Sequence, residues 1–121
     1  VNEDVLLLAY SPLACGYLTG KYQDGIPEGS RLAINGDLGG RKTDRAFDAV
    51  AAYLDLARAH GIDPVHMALA WTVQRPFVAA AIFGATTLAQ LDHALDAADV
   101  TLSDDLLAEI DALHRANPMP Y

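Results

Sequence analysis

YSPLACGYLTGKY, running from Tyr10 to Tyr22, is the stretch that decides the fold of this 121-residue chain. It follows a short apolar run, Val5 to Ala9, which predicts a buried strand. The stretch itself contains a serine, a threonine, two glycines and the single cation Lys21. A strand that ends in small residues, hydroxyls and a lysine is typical of a backbone loop that approaches an anionic ligand.

A second turn of the same character occurs late in the chain. Val78 to Phe83 is a continuous apolar run, as expected for a parallel strand that is buried on both faces. The sequence Gly84-Ala85-Thr86-Thr87 follows it and predicts a second turn that faces phosphate. Thr87 and Gln90 match a T-x-x-Q capping box, which predicts a helix start near Leu88. The start of a helix has N–H groups without intrahelical partners and the positive end of the dipole.

The remaining sequence predicts a long loop and four helices. Residues 10–42 form the loop, and helices begin near Thr43 or Asp44, at Val65, near Leu88 and after Ser103. Gly61 suits the left-handed position that ends the first helix. The apolar positions of the last two helices predict their core faces: Leu88, Leu91, Leu95 and Ala98 in one, and Leu106, Ile110 and Leu113 in the other.

This order of elements predicts two strand–helix units of a parallel α/β fold. Two parallel strands cannot form a sheet with both faces covered, and an intact parallel barrel takes roughly 200 residues or more. We therefore expect these residues to be the end of a larger domain.

Composition excludes several classes of function. The net charge of −8 argues against nonspecific binding to nucleic acid or to an anionic membrane. Charge is unevenly distributed along the sequence. There are five cations and four acids between Lys21 and Arg45, but three cations and ten acids from Ala46 onward. The longest apolar stretch is too short to span a bilayer. A single cysteine, Cys15, excludes an internal disulfide and is typical of the reducing cytoplasm.

Residues Tyr10 to Arg31 (YSPLACGYLTGKYQDGIPEGSR) resemble the aldo-keto reductase superfamily, in particular its bacterial NADP(H)-dependent reductases and the potassium-channel β subunits. The resemblance continues through MALAW at Met67 to Trp71 and FGATTLAQL at Phe83 to Leu91. It implies a (β/α)8 TIM barrel, of which this chain would hold the last two strand–helix units. Residues 1–121 would then be the C-terminal part of an aldo-keto reductase domain.

The resemblance also implies an extended NADP(H) at the carboxyl ends of the strands, where barrel enzymes often bind phosphate. Tyr10 would stack on the nicotinamide. The pyrophosphate would be lined by the loop residues Ser11, Pro12, Leu13, Ala14 and Cys15. A flap would close over it, formed by Lys21, Ser30 and Arg31. The adenosine end, with its 2′-phosphate, would be held by Gly84, Thr86 and Gln90.

Two positions depart from the family pattern. Where its members often have a polar residue and then an asparagine near the adenine, this chain has His93 and Ala94. His93 would replace the missing contacts by stacking or by a hydrogen bond. The four histidines lack the sequence spacing of metal ligands, so we expect no metal site.

Three functions are compatible with these residues. The first is an NADP(H)-dependent oxidoreductase that reduces a small aldehyde or ketone, with NADP favoured over NAD by Arg31 and the helix start near Leu88. The family's proton-donating tyrosine and its lysine, aspartate and histidine helpers would lie upstream, so this chain would have no catalytic residue and no activity alone. The second is a regulatory subunit that senses NADP(H), and the third is an unrelated phosphate-binding barrel enzyme. Substrate identity and oligomeric state do not follow from the sequence.

Overall fold

The computed structural model describes residues 5–120. Within that range the chain forms two parallel strands, five α-helices and two short 3₁₀ helices. Three of the α-helices lie between the strands in sequence, and two follow the second strand. The strands are β1 (Leu7–Tyr10) and β2 (Val78–Ile82). The α-helices are α1 (Arg31–Asn35), α2 (Asp44–Ala59), α3 (Pro64–Val73), α4 (Leu88–Leu95) and α5 (Asp104–Ala116). The 3₁₀ helices span Ala14–Thr19 and Asp96–Asp99.

Helix boundaries follow the capping residues closely. Thr43, Thr87 and Ser103 each accept a hydrogen bond from a backbone N–H in the first turn of the helix that they precede. Asp63 caps α3 in the same way and accepts from two N–H groups, with Pro64 as the first helical residue. Gly61 has a φ of +62°, the left-handed conformation predicted for it.

The main core lies between α2, α3 and α5. Its most buried members are Ala57 and Ala70, which are fully buried and allow α2 and α3 to approach closely. The inward face predicted for α5 is confirmed, since Leu106 and Ile110 are buried and Leu113 packs against this core. Burial of this shared apolar surface is the main stabilising contribution to the helical layer.

The predicted long loop is more ordered than expected. It contains the 3₁₀ helix Ala14–Thr19 and the helix α1, and it encloses a small apolar core of its own. That core consists of Tyr17, Tyr22, Leu32, Leu38 and Val50. Tyr17 contacts Tyr22 and Phe47 edge to face, with ring centroids 5.6 and 5.5 Å apart. The sequence did not indicate that Tyr17 and Tyr22 are buried, because their burial depends on contacts with α2.

The prediction that both strands are buried is wrong for the described residues 5–120. Leu7 and Leu8 in β1 are 50% and 58% exposed, and β2 contains no buried residue. The two strands pair only with each other, so each has one outer edge without a neighbouring strand in the described part of the chain. An apolar run predicts a strand well, but its burial depends on which elements surround it.

The core face predicted for α4 is also wrong. Leu88, Leu91 and Leu95 are exposed, whereas Ala94 is the residue of α4 that is buried. The small residues Ala94 and Ala97 pack against α3, and Ala98, the fourth predicted position, is exposed and lies beyond the end of α4. Among residues 5–120, no helix combines the length and apolar character needed to cross a membrane.

Candidate functional site

The two predicted turns lie side by side at one edge of the sheet. Tyr10, the last residue of β1, is paired with Ile82, the last residue of β2. Because the strands are parallel, the residues that follow each of them emerge at the same edge. The backbone N–H of Ser11 extends the ladder by one more bond, to the carbonyl of Ile82. The loop after β1 and the turn that begins at Gly84 therefore face a common space.

That space is a cavity of about 780 Å³. This is within the range of about 300–1,000 Å³ that is typical of small-molecule sites. Of the residues predicted to bind a cofactor, all except Ala14 line it: Tyr10, Ser11, Pro12, Leu13, Cys15, Lys21, Ser30, Arg31, Gly84, Thr86, Gln90 and His93. The fold thus brings together residues that are more than 80 positions apart in sequence. Whether they bind a cofactor stays a prediction.

The loop after β1 has an unusual backbone. Ser11, Ala14 and Cys15 have φ values of +53°, +49° and +59°, and Gly16 follows at +94°. A left-handed conformation costs a residue other than glycine about 1–2 kcal/mol. Local bonds hold the turn, because Ala14 N–H donates to the carbonyl of Ser11 and Gly16 N–H to that of Leu13, both at 2.9 Å. Backbone strain of this kind is often concentrated at functional sites.

Lys21 folds back over this turn. A Cβ atom at Gly16 would lie 2.9 Å from Lys21 Cε and 3.0 Å from its Nζ, contacts that a small shift of this flexible side chain would relieve, so it is the φ of +94° that favours glycine there. The ammonium is 5.2 Å from the centre of the Tyr22 ring, within the range of a cation–π contact. Thr19 Oγ1 donates to the carbonyl of Gly16 at 2.8 Å and closes the turn. The Tyr22 ring therefore helps to position Lys21 at the cavity.

The predicted flap is built on α1. Ser30 is buried and its Oγ accepts from the N–H of Ala33 at 3.3 Å, so its side chain caps the helix. Arg31 follows as the first helical residue and is exposed at the cavity. The Tyr22 hydroxyl accepts from the N–H of Leu32 at 3.4 Å and ties α1 to the small core beneath it.

The turn after β2 is organised by Gln90. Its Oε1 accepts from both the N–H and the hydroxyl of Thr86, each at 2.9 Å. In a capping box this side chain would instead accept from Thr87, whose own Oγ1 accepts from the N–H of Gln90 at 3.2 Å. The hydroxyl proton of Thr86 is thus used within the turn, and the amide NH₂ of Gln90 remains as a donor. The first turn of α4 also presents the N–H groups of Leu88 and Ala89.

His93 lies in a cluster that sequence spacing did not indicate. Its Nε2 is 3.2 Å from Asp63 Oδ1, and its carbonyl accepts from His66 Nε2 at 2.7 Å. The two imidazole rings are 4.6 Å apart between centroids. One side-chain atom from each of these three residues lies within 4.8 Å of the others, as in a group able to hold a metal ion. The expectation of no metal site was based on spacing along the chain, which cannot detect contacts between α3 and α4.

The cavity contains acids that were not predicted for it. Glu28 and Asp63 line it together with the cations Lys21 and Arg31. Asp63 caps α3, and its place beside His93 depends on how α3 packs against α4. Glu28 lies in the loop before α1, where no pattern in the sequence marks it. The wall is therefore mixed in charge, with Lys21 and Arg31 as its basic positions.

Three comparisons bear on this site. The model of the aldo/keto reductase family matches residues 1–115. Among curated proteins, Protein tas of Escherichia coli K12 is 45% identical over 119 residues, covering 98% of this chain and 34% of that protein. A Schizosaccharomyces pombe protein named as a voltage-gated potassium channel β subunit is 36% identical over 117 residues, covering 91% of this chain and 34% of that protein. The chain thus spans about a third of the length of these relatives.

The solved structures support the fold. The glycerol dehydrogenase of Gluconobacter oxydans superposes with a TM-score of 0.70 at 22% identity, over 99% of this chain and 37% of that one. The chain therefore has the fold of part of a (β/α)8 barrel, as predicted. The assignment of the last two strand–helix units, and of residues 1–121 as a C-terminal part, remains a prediction.

Proposed function

Because this chain belongs to the aldo/keto reductase family, we propose that it forms the NADP(H)-binding part of an oxidoreductase that reduces aldehydes or ketones. The observation that carries the proposal is that two turns, one after each strand, line the same cavity of about 780 Å³. Ser11 and Gly84 both line it, so a single extended molecule can contact both turns. Family membership decides against an unrelated phosphate-binding barrel enzyme.

The nicotinamide end of the proposed cofactor lies at Tyr10. This side chain is 76% exposed at the end of β1, so one face of the ring is available for stacking. The cofactor would supply the hydride, and the protein would supply its orientation. Pro12, Leu13 and Cys15 continue the wall of the cavity beyond Tyr10.

The phosphates of the proposed cofactor fit the cations and amides of the site. Lys21 is held at the first turn and can act as a point charge, whereas Arg31 can donate two parallel hydrogen bonds to phosphate oxygens. At the other turn, Gly84 has no neighbour within 4 Å of the place where a Cβ would lie. A phosphate can therefore approach the backbone there and accept from the start of α4.

The preference for NADP over NAD is part of the proposal. The 2′-phosphate would lie near Thr86, Gln90 and the first turn of α4, where the helix dipole favours negative charge. The amide NH₂ of Gln90 is a suitable donor, because its Oε1 is already occupied by Thr86. His93 would contact the adenine at the far end of the cavity.

Proton donation is proposed to come from residues outside this chain. The chain spans about a third of its relatives, and no residue of the described cavity wall is assigned a catalytic role. The family tetrad of tyrosine, lysine, aspartate and histidine is expected on other strands of the barrel. We therefore expect carbonyl reduction only from the whole polypeptide and not from residues 1–121 alone.

Binding of the reduced cofactor tests the proposal directly. NADPH and NADH are titrated into the purified whole polypeptide and into its Arg31→Ala and Arg45→Ala variants. NADPH is expected to bind more tightly than NADH, and Arg31→Ala is expected to weaken NADPH binding at least tenfold. Arg45 is an exposed cation outside the cavity, so Arg45→Ala should bind NADPH as the unaltered protein does. Absence of NADPH binding would refute the proposal.

A regulatory role is the second candidate, and the channel β-subunit relative is the observation that favours it. In this case the same cavity would bind NADP(H), and the bound state would alter a partner protein. The two candidates differ in turnover. The enzyme should oxidise NADPH when small aldehydes and ketones are supplied, whereas a sensor should bind NADPH with the same dependence on Arg31 but consume it negligibly.

A further inference from the structure

Asp63, His66 and His93 form a cluster where α3 meets α4. Asp63 caps α3, His66 lies in the first turn of that helix, and His93 lies near the end of α4. Asp63 and His93 line the cavity at the end that receives the turn after β2, and the cluster is partly exposed to solvent. Only the fold brings the three together, since about 30 residues separate His93 from the other two.

The distances in the cluster suit a small transition metal ion. In a tetrahedral zinc site with bonds of about 2.1 Å, ligand atoms are about 3.4 Å apart. His93 Nε2 and Asp63 Oδ1 are 3.2 Å apart, and one ligand atom from each of the three residues lies within 4.8 Å of the others.

The hydrogen bonds around the cluster are also those of a metal site. His66 Nε2 lies 2.7 Å from the carbonyl of His93. A carbonyl can only accept a hydrogen bond, so the neutral ring must carry its proton on Nε2, and the lone pair on Nδ1 is left to bind a metal ion. Histidine ligands of metals commonly donate their second N–H to a carbonyl in this way. Asp63 Oδ1 accepts from the N–H groups of Val65 and His66, and this orients the carboxylate toward the histidines.

We propose that Asp63, His66 and His93 bind a Zn²⁺ ion at the far end of the cavity, where α3 meets α4. Two imidazoles and a carboxylate select zinc over magnesium or calcium, which prefer oxygen ligands. Three protein ligands leave the fourth position to water or to an oxygen of a molecule in the cavity. The site does not depend on the proposed cofactor, because each ligand belongs to the protein and the ion can be measured in the absence of a dinucleotide.

The competing interpretation is purely structural. In that case the contact between His93 and Asp63 ties α4 to the start of α3, and the histidines bind no ion. The two interpretations predict different effects for Asp63→Asn. Asparagine caps a helix as well as aspartate does, so α3 should be retained, whereas loss of the carboxylate charge should weaken a bound Zn²⁺.

Zn²⁺ binding to the metal-free whole polypeptide is the test, measured by calorimetry and by competition with a chromophoric chelator. One equivalent is expected, and His66→Ala, His93→Ala and Asp63→Asn should each weaken binding at least tenfold. His114→Ala is the matched control, since His114 lies on α5 outside the cluster. Circular dichroism establishes that each variant is folded. No Zn²⁺ binding, or binding that these three variants leave unchanged, would overturn the proposal.

Co²⁺ gives a second readout. Its visible absorption bands are strong in a tetrahedral site and weak in an octahedral one, so the unaltered protein and His114→Ala should give the strong spectrum. Asp63→Asn should reduce it while the helical circular dichroism stays the same. A weak spectrum in the unaltered protein contradicts the geometry proposed here.

Discussion

The backbone N–H of Ser11 lies 3.2 Å from the carbonyl oxygen of Ile82 and donates a hydrogen bond to it. The donor lies in the loop after β1 and the acceptor is the last residue of β2, so the bond extends the strand pairing by one step at the edge where both loops line the cavity. The positions of the loops are therefore set by the strand register. A ligand that contacts both loops would find them already aligned, which lowers the entropic cost of binding.

Gly84→Val is expected to weaken NADPH binding at least tenfold without lowering the melting temperature. Nothing in the protein lies within 4 Å of a Cβ at Gly84, so the added side chain would occupy space that the proposed cofactor needs. Isothermal titration gives the affinity and thermal unfolding gives the stability. The control is Ala85→Val, one residue further along and outside the cavity wall. Equal affinities for the two variants would count against close approach of a phosphate to Gly84.

Gln90→Glu is expected to weaken NADPH binding roughly tenfold and NADH binding far less. A carboxylate can accept the same two hydrogen bonds from Thr86, so the turn should be retained. Its negative charge would repel the proposed 2′-phosphate by about 1–2 kcal/mol at a site that water reaches. The measurement is the ratio of the two dissociation constants. NADH is the internal control, because it lacks that phosphate, and an unchanged ratio would contradict the placement.

Gly61→Ala is expected to lower the free energy of unfolding by about 1 kcal/mol. Gly61 ends α2 with a φ of +62°, and no atom lies within 4 Å of a Cβ there, so the cost comes from the backbone conformation alone. Denaturant unfolding measures it. Gly84→Ala is the matched control, because its site is equally open and its φ lies outside the left-handed range. Similar losses in both variants would show that backbone strain is not the cause.

Met67→Ala is expected to lower the free energy of unfolding by about 2–5 kcal/mol. Met67 is buried between α2, α3 and α5, and truncation would leave a cavity beside Ala57 and Ala70. The same change at Met119, which is 73% exposed, should have almost no effect. Denaturant midpoints of the two variants test this difference, and a small loss for Met67→Ala would mean that the core collapses around the vacancy.

The loop at residues 37–40 is expected to loosen in acid. Backbone N–H groups, first that of Gly40, hold the pKa of Asp37 below its usual value of 3.8. A lowered pKa in the folded state means that the carboxylate stabilises the loop above the unfolded pKa, and this contribution is lost as the pH falls through the folded pKa. Protection of the Gly39 and Gly40 amides against hydrogen exchange should therefore decrease between about pH 5 and pH 2.

Asp37→Asn is the control for that measurement. Asparagine keeps one oxygen that can accept from Gly39 and Gly40, but it does not titrate. Its protection factors should be lower at neutral pH and should not change in acid. If the variant showed the same acid dependence as the unaltered protein, a group other than Asp37 would be responsible.

Local sequence signals predicted the helices well. Thr87 caps α4 as expected, α2 begins directly after Thr43 and α5 directly after Ser103, and Gly61 takes the left-handed position. Each of these features involves atoms only a few residues apart, so it can be recognised from a short segment. The family resemblance is confirmed by the match over residues 1–115.

Local signals did not predict which apolar faces are covered. Leu88, Leu91 and Leu95 were expected to form the core face of α4 and are exposed. Tyr17 and Tyr22 lie in the predicted loop and are buried. Burial is a property of the surrounding elements and not of the residue. The same reason explains why Glu28 and Asp63 at the cavity were missed.

The sequence by itself determined where α2, α3, α4 and α5 begin, because caps are made by neighbouring residues, whereas α1 and the end of β1 at Tyr10 did not follow from it. Which residues contact a phosphate stays a prediction, made from the chemistry of their side chains and from the position of a glycine. Only the tertiary structure decided that the turns after β1 and β2 share one cavity, and that His93 lies 3.2 Å from Asp63. Those relations join distant segments, and they arise from parallel strand pairing and from the packing of α3 against α4.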